Sequence, residues 1–269
     1  MAEPFFRMLE IVVPPLVKAN GTHLVFHGLE HIPEHGGAVV AVNHTSHVDW
    51  YPASIAALKR GRRLRFMLKA ELQGVPSVNF VIKHTKLIPV DRSAGGDAYT
   101  VAVQRLQEGE LVGLHPEATI SRSFELMEFK TGAARMARIA EVPIIPLIVW
   151  GAQRISTKDH PSKLWRNKIP VLTVIGPPMQ ATDDVEQTTA ALHQAMAGLL
   201  EQAQLDYPHP AGAYWVPRRL GGSAPTMAEA SAMRETELAE RARQYAEGTA
   251  QGADRPRWRR VLPAASRHQ

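Results

Sequence analysis

The stretch GAVVAVNHTSHVDWYPASIAALKRG, residues 37–61, decides the fold. It begins with an apolar run, 37–43, that is typical of a buried strand. Residues 47–61 predict a helix, because Pro52 is tolerated in a first turn and Gly61 follows two basic residues, as at many helix C-termini. A buried strand that turns directly into a helix is the repeating unit of α/β folds.

The same alternation of strands and helices continues through most of the chain. Runs that predict strands cover residues 23–28, 64–70, 86–92, 110–118, 142–152 and 169–178. Helical patterns cover residues 75–85, 97–109, 130–141, 184–206 and 226–248. We therefore expect an α/β fold with a largely parallel central sheet flanked by helices.

Three segments are predicted along the chain. Residues 1–20 form an amphipathic helix, residues 21–205 the main domain, and residues 206–269 a Pro/Gly-rich loop, a charged helix and a basic tail. The first helix has two interpretations. It is either a core-packing helix kinked at Pro14–Pro15, or an interfacial helix that lies on a membrane with its apolar side inserted.

The composition excludes several classes of protein. With no cysteine among 269 residues, the chain has no disulfide, thiolate nucleophile or cysteine-ligated metal. The net charge of +5 favours anionic partners, but an aromatic content of 6% without an interleaved Lys/Arg run argues against nucleic acid. No apolar run reaches the roughly 18 residues needed to span a bilayer. Arg7 and Glu10 interrupt any signal-peptide core.

Polar side chains follow several of the predicted strands. They are Asn43 and His44, Lys69 and Glu71, Asp91 and Arg92, and His115 and Glu117. In open α/β sheets, ligands bind outside the carboxyl ends of the strands. If these strands are parallel, the polar groups lie along one edge of the sheet and form a site.

His44 and Asp49 are the strongest catalytic candidates in this region. With His44 at a strand end and Asp49 in the first turn of the next helix, their side chains can meet across the turn. A carboxylate bound to one imidazole nitrogen fixes the tautomer and leaves the other nitrogen to accept a proton. Two alternatives stay open: Asp49 is the N-cap of the helix, or His44, His47 and Asp49 ligate a metal.

Six segments together resemble a known family. In order, they are NHTSHVD (43–49), LKAEL (68–72), KLIPVDRS (86–93), LHPEATISRS (114–123), FKTGAARMA (129–137) and VPIIPLIVWG (142–151). They are similar to the motifs of the glycerolipid acyltransferases, the PlsC-type 1-acyl-glycerol-3-phosphate (lysophosphatidic acid) acyltransferase family, whose first motif is His-x4-Asp. The resemblance covers residues 20–178 and implies the family's layered α/β fold.

The resemblance also implies roles for individual residues. His44 is the general base and Asp49 its orienting partner, and His44 takes a proton from an acceptor hydroxyl that attacks the thioester of acyl-CoA or acyl-carrier protein. The residues implied in substrate binding are Asn43, Lys69, Arg92, Glu117, Thr119, Ser121 and Arg122. Among them, Arg92 and the third motif would bind the acceptor's phosphate. No metal is implied, and no cofactor beyond the acyl donor.

One departure of the third motif from the family pattern bears on phosphate binding. The family usually has Phe-Pro-Glu-Gly-Thr-Arg-Ser there, whereas this chain has Ile120 in place of the arginine and Arg122 two residues later. Because a guanidinium binds phosphate through a bidentate fork, we expect Arg122 to turn into the vacated place. Lysophosphatidic acid is the preferred acceptor, with glycerol 3-phosphate, another lysophospholipid or a glycolipid as alternatives.

The expected function is that of a membrane-associated O-acyltransferase of phospholipid biosynthesis, which converts 1-acyl-glycerol 3-phosphate into phosphatidic acid. Because both substrates partition into membranes, we expect peripheral docking at the cytoplasmic face of the cell membrane through the first helix. The partners would be a lipid surface, a lysophospholipid and acyl-CoA or acyl-carrier protein, with no nucleic acid. The alternatives are a catalytically silent lipid- or phosphate-binding module and a metal-dependent hydrolase.

Overall fold

A computed structural model describes residues 3–90, 97–163, 165–166 and 168–253 of the chain. Two compact units are present, Met1–Ala224 and Pro225–Gln269. The strands of the first unit are β1 (His23–His27), β2 (Ala38–Val42), β3 (Leu64–Lys69), β4 (Ile88–Val90), β5 (Leu111–Leu114), β6 (Ile144–Trp150) and β7 (Pro170–Ile175). Its helices are α1 (Pro4–Ala19), α2 (Trp50–Lys59), α3 (Pro76–Thr85), α4 (Asp97–Gln107), α5 (Gly132–Ala140) and α6 (Val185–Leu205).

The described strands form one seven-stranded sheet in the order β1-β7-β6-β2-β5-β3-β4. Strands β2 to β6 are mutually parallel, which confirms the predicted α/β fold with a largely parallel sheet. Strand β7 runs antiparallel to β6, and β1 is parallel to β7, so these two strands point the opposite way. The carboxyl ends of β2, β3, β4 and β5 therefore lie along one edge, where the site was expected.

Helices cover the sheet on both faces. Helix α2 packs on one face, and helices α4, α5 and α6 pack on the other. Strand β6 lies between these layers, and all its residues from Ile144 to Trp150 are buried. Burying one large aliphatic side chain contributes roughly 1.5–3 kcal/mol, so this strand is a main source of stability.

Residues 207–224 form a segment, here named the C-terminal strap, that belongs to the first unit. Tyr207, Trp215 and Val216 are buried in the core beside α6. The Tyr207 hydroxyl donates a hydrogen bond of 2.7 Å to the Pro170 carbonyl at the start of β7. The predicted domain boundary at residue 205 is therefore too early, because apolar side chains of the strap complete the core.

Helix α1 is one helix through Pro14 and Pro15, and none of its residues is buried. Its carboxylates hold it to the body: Glu10 accepts from Arg63 Nε at 2.7 Å, and Glu3 accepts from Arg65 at 2.9 Å. The interpretation of α1 as a core-packing helix is wrong, because none of its residues is buried. Among the described residues, no helix is long and apolar enough to cross a membrane.

The second unit contains helix α7 (Met227–Ala253), where the sequence predicted a charged helix. Its start is capped reciprocally: the Glu229 N–H donates to Thr226 Oγ1 at 3.2 Å, and the Thr226 N–H donates to Glu229 Oε2 at 2.8 Å. This is the capping-box arrangement. The predicted basic tail, residues 254–269, lies outside the described part of the chain.

Candidate active site

The turn between β2 and α2 is organised by the carboxylate of Asp49. Asp49 Oδ2 accepts hydrogen bonds from the backbone N–H groups of Thr45 at 2.8 Å and Ser46 at 2.7 Å. Asp49 occupies the N-cap position of α2, but its side chain makes no capping bond to that helix. The predicted alternative of a simple N-cap is therefore wrong: the carboxylate turns back towards the strand end.

His44 meets Asp49 across this turn. His44 Nδ1 lies 3.3 Å from Asp49 Oδ2, the side chain of Asp49 is fully buried, and that of His44 is 21% exposed. Burial lowers the pKa of His44 to about 3, and the positive charges of His47, Lys158 and Lys69 add to this shift. With Nδ1–H directed to the carboxylate, Nε2 keeps its lone pair, so His44 is a neutral base at neutral pH.

The same turn is clamped by residues 152–163, here named the β6 loop. Ser46 Oγ donates to the carbonyl of Ser156 at 2.6 Å, and the His47 N–H donates to the same carbonyl at 3.0 Å. Thr157 Oγ1 donates to the Thr45 carbonyl at 2.8 Å. The sequence of this loop has no periodic pattern that predicts its role. Its serine and threonine residues directly after β6 are the signal that it carries.

Three residues predicted to bind substrate are part of the walls of the site. Asn43, Glu117 and Ser121 are buried, at 0%, 1% and 0% exposure. The Asn43 amide accepts from the Val149 N–H at 2.7 Å and donates to the Val149 carbonyl at 3.1 Å, which ties β2 to β6. Ser121 Oγ lies 3.0 Å from a neighbouring serine hydroxyl. These side chains already bind protein atoms, and their role in substrate binding stays a prediction.

Glu117 supports the backbone that carries His44. Its Oε1 accepts from the His44 N–H at 2.7 Å, and its Oε2 accepts from the Met127 N–H at 3.0 Å. Burial raises the pKa of Glu117 to about 8, while the two N–H donors act in the opposite direction. Each donor is matched by one carboxyl oxygen, so Glu117 fixes the third motif against the catalytic turn.

The third motif carries Ile120 where the family has arginine. Ile120 is 7% exposed and packs in the protein interior. Arg122 donates from Nε to Asp159 Oδ2 at 2.5 Å, which holds it to the β6 loop, and its turn into the place of the family arginine stays a prediction. Lys158 Nζ instead lies 3.5 Å from Thr119 Oγ1. The predicted Arg92 lies outside the described residues.

Comparison with known proteins agrees with this architecture. The sequence pattern of the family described as Acyltransferase matches residues 23–150, which contain β1 to β6 and the dyad. A 1-acyl-sn-glycerol-3-phosphate acyltransferase of Bacillus subtilis is 27% identical over 64% of this chain and 82% of its own length. Residues 23–150 form an Acyltransferase domain, and the chain is similar to the PlsC-type enzymes. It is an acyltransferase enzyme, and the predicted family is confirmed.

Two curated relatives and one solved structure match this acyltransferase over different shares of their own length. The human 1-acyl-sn-glycerol-3-phosphate acyltransferase alpha is 27% identical over 57% of this chain and 55% of its own length. The chloroplastic enzyme LPAT1 of Arabidopsis thaliana is 27% identical, and the match spans 39% of that protein. The crystal structure of PlsC from Thermotoga maritima superposes with a TM-score of 0.59, at 21% identity over 74% of this chain and 82% of that one.

One residue of this acyltransferase that was not predicted as a site residue contacts the dyad directly. His115 follows β5, and its imidazole lies flat against that of His44, with ring centroids 3.9 Å apart and planes 8° apart. In the sequence, His115 is one of several polar residues at strand ends. The feature that could have identified it is a histidine at the motif position that the family usually fills with phenylalanine.

The metal alternative has no support in the described geometry. His47 donates its backbone N–H to the β6 loop, and within the described residues no group of three or more His, Asp or Glu is arranged to hold a metal ion.

Proposed function

We propose that this acyltransferase transfers an acyl chain from acyl-CoA or acyl-carrier protein to the free hydroxyl of 1-acyl-glycerol 3-phosphate, giving phosphatidic acid. The observation that carries this proposal is the His44–Asp49 pair, with Nδ1 and Oδ2 3.3 Å apart, at the edge of the sheet where polar strand ends converge. The names of several relatives describe the same reaction class.

The proposed mechanism needs one base and no acyl-enzyme intermediate. His44 Nε2 takes the proton of the acceptor hydroxyl as its oxygen bonds to the thioester carbonyl carbon, and Asp49 stabilises the imidazolium that forms. When the tetrahedral intermediate collapses, the carbon–sulfur bond breaks, and the departing thiolate takes the proton back from His44. The reaction consumes no cofactor. It also needs no thiol nucleophile from the protein, which fits a chain without cysteine.

We infer that lysine side chains meet the acceptor's phosphate where the family arginine is missing. Lys69 is the last residue of β3 and Lys158 lies on the β6 loop, and the positive charges of both act on His44. Lys158 also lies 3.5 Å from Thr119 of the third motif. A phosphate placed between these groups would hold the acceptor's hydroxyl close to His44 Nε2. Arg92 stays a predicted additional phosphate ligand.

An acceptor panel assayed by release of free thiol tests both points. Lysophosphatidic acid should be the best acceptor, compared with glycerol 3-phosphate, monoacylglycerol, a lysophospholipid with a larger headgroup and a glycolipid. Lys158→Met should raise KM for lysophosphatidic acid about tenfold but leave KM for the acyl donor unchanged, whereas Lys158→Arg should stay close to wild type. Equal loss with monoacylglycerol, which has no phosphate, would remove Lys158 from the phosphate site.

We further propose that the enzyme docks on the cytoplasmic face of the cell membrane through α1 and α3. Helix α1 exposes an apolar side, formed by Met8, Ile11, Val12 and Leu16, at 44–60% exposure. Its opposite side is held to the body by the Glu3 and Glu10 ion pairs. Phe80 of α3 is 50% exposed and packs edge-on against Phe5, with ring centroids 5.1 Å apart, which extends the apolar surface. A surface of this type lies at the interface of a bilayer.

Sedimentation with phosphatidylglycerol–phosphatidylcholine vesicles tests the docking surface. Ile11→Glu and Leu16→Glu should each weaken vesicle binding at least tenfold, because each places a charge among inserted side chains. Gln202→Glu, which adds one negative charge at an exposed position of helix α6, is the matched control and should bind as wild type does. If all three variants bind equally well, α1 is not the docking element.

A further inference from the structure

The ring of His44 is not held by Asp49 alone. The distance from Nδ1 to Oδ2 is 3.3 Å, longer than the usual 2.7–3.2 Å of an N–H···O hydrogen bond. Asp49 Oδ2 also accepts two shorter bonds from backbone N–H groups, so its position is set by the turn rather than by the imidazole. A second restraint on the His44 ring is therefore required if its free nitrogen is to stay aimed at an acceptor hydroxyl.

His115 is itself fixed in one orientation. Its Nδ1 lies 3.0 Å from the Val42 carbonyl oxygen and 3.1 Å from the Asn43 carbonyl oxygen. Carbonyl oxygens only accept hydrogen bonds, so Nδ1 carries the hydrogen and the neutral ring has its lone pair on Nε2. The Phe66 ring packs against His115 at 5.3 Å. His115 thus joins the end of β5 to the end of β2, the strand from which His44 projects.

We propose that His115 is a positioning residue for acyl transfer, holding the His44 imidazole flat and directed at Asp49 by face-to-face stacking. This proposal rests on the proposed function of the His44–Asp49 pair. A ring stacked at 3.9 Å blocks rotation of the neighbouring imidazole out of its plane while leaving the edge nitrogens accessible. The Nδ1–H bonds to Val42 and Asn43 keep the stacking surface aligned with the backbone that carries the base.

The position is informative because the family motif usually has phenylalanine there. Phenylalanine offers a flat face but no N–H group for the two carbonyls. His115 has both a flat ring face and an N–H group. Substitutions can therefore separate the contribution of stacking from that of the hydrogen bonds. His115→Phe keeps the face and loses the bonds. His115→Leu fills most of the volume and loses both, and it serves in place of His115→Ala, which would leave a cavity.

The kinetic test measures kcat and KM for the acyl donor and for lysophosphatidic acid by thiol release. His115→Leu should lower kcat about 100-fold with both KM values unchanged, because a displaced catalytic group loses rate without losing substrate binding. His115→Phe should recover kcat to within about tenfold of wild type. A folded His115→Leu protein with the kcat of wild type would overturn the proposal, as would a loss that appears in KM alone.

A second measurement is independent of turnover. In ¹⁵N-histidine spectra of the full chain, His44 should show a single tautomer protonated at Nδ1 in wild type and in His115→Phe. In His115→Leu its two nitrogen signals should move towards each other as the ring exchanges between orientations. Identical His44 signals in all three proteins would reject the positioning role. If wild type releases no thiol with any acceptor, the proposed function fails, and the His44 spectra still decide the role of His115.

Discussion

The carboxylate of Asp49 has two roles: it accepts the backbone hydrogen bonds of the turn, and it stabilises the His44 imidazolium. A pair of substitutions distinguishes these roles. In Asp49→Asn, the amide oxygen can still accept from the N–H groups of Thr45 and Ser46, which lie 2.8 and 2.7 Å from Oδ2. The amide nitrogen replaces Oδ1, which has no hydrogen-bond partner among the described residues. The free energy of unfolding should therefore change by less than about 1 kcal/mol. The negative charge that stabilises the His44 imidazolium is lost, so kcat should fall about 10²- to 10⁴-fold.

Asp49→Ala removes both the acceptor of the turn's backbone hydrogen bonds and the negative charge beside His44. Two buried backbone N–H groups lose their acceptor, and each unsatisfied donor costs about 1–3 kcal/mol. The free energy of unfolding should fall by about 2–6 kcal/mol, measured by urea denaturation, with kcat at least as low as in Asp49→Asn. The reasoning would be refuted if Asp49→Asn kept wild-type kcat in the thiol-release assay. It would also be refuted if Asp49→Ala were as stable as Asp49→Asn.

Three further predictions address the rest of the site. Ile120→Arg, which restores the family residue, should lower the melting temperature without lowering KM for lysophosphatidic acid, because position 120 is 7% exposed and a buried guanidinium is costly; a lower KM would contradict this. Asn43→Ala should reduce the free energy of unfolding by about 2–5 kcal/mol in urea titrations, since it leaves the Val149 N–H and carbonyl unpaired. An unchanged midpoint of urea unfolding would show that these two hydrogen bonds do not stabilise the protein. Burial lowers the pKa of His44 to about 3 and raises that of Asp49 to about 7, and the active pair needs His44 neutral and Asp49 ionised. Activity, measured as kcat/KM, should therefore fall as the pH falls through about 7, where Asp49 takes up a proton; a kcat/KM that stays constant down to about pH 5 would contradict this.

The local elements of the fold could be predicted because their signals are local. The apolar run of β2, the tolerated Pro52 and the closing Gly61 all lie within one stretch, and α2 forms between them. The reversed direction of β7 could not be predicted, because hydrophobic periodicity is the same for parallel and antiparallel strands. The strap and the β6 loop have no periodic pattern and are ordered by long-range contacts.

For the site, motif spacing indicated which residues cluster but not which way each side chain points. The placement of His44 opposite Asp49 follows from a short turn, and the structure has that geometry. Glu117 and Asn43 lie in the same motifs, yet both side chains form hydrogen bonds with backbone groups of the protein. Arg122 lies only two residues beyond Ile120 but is paired with Asp159, a residue far away in sequence. Such partners depend on tertiary packing, which spacing along one motif does not contain.

The clamp between the catalytic turn and the β6 loop has a consequence for recombination among relatives. The family match ends at residue 150, whereas the hydrogen bonds of Ser46 and His47 to Ser156 lie just beyond it. A chimaera that exchanged residues 23–150 alone would join a catalytic turn from one parent to a clamp from another. The C-terminal strap completes the core as far as Ala224. A functional chimaera should therefore take all residues as far as Ala224 from one parent, well past residue 150, where the family match ends.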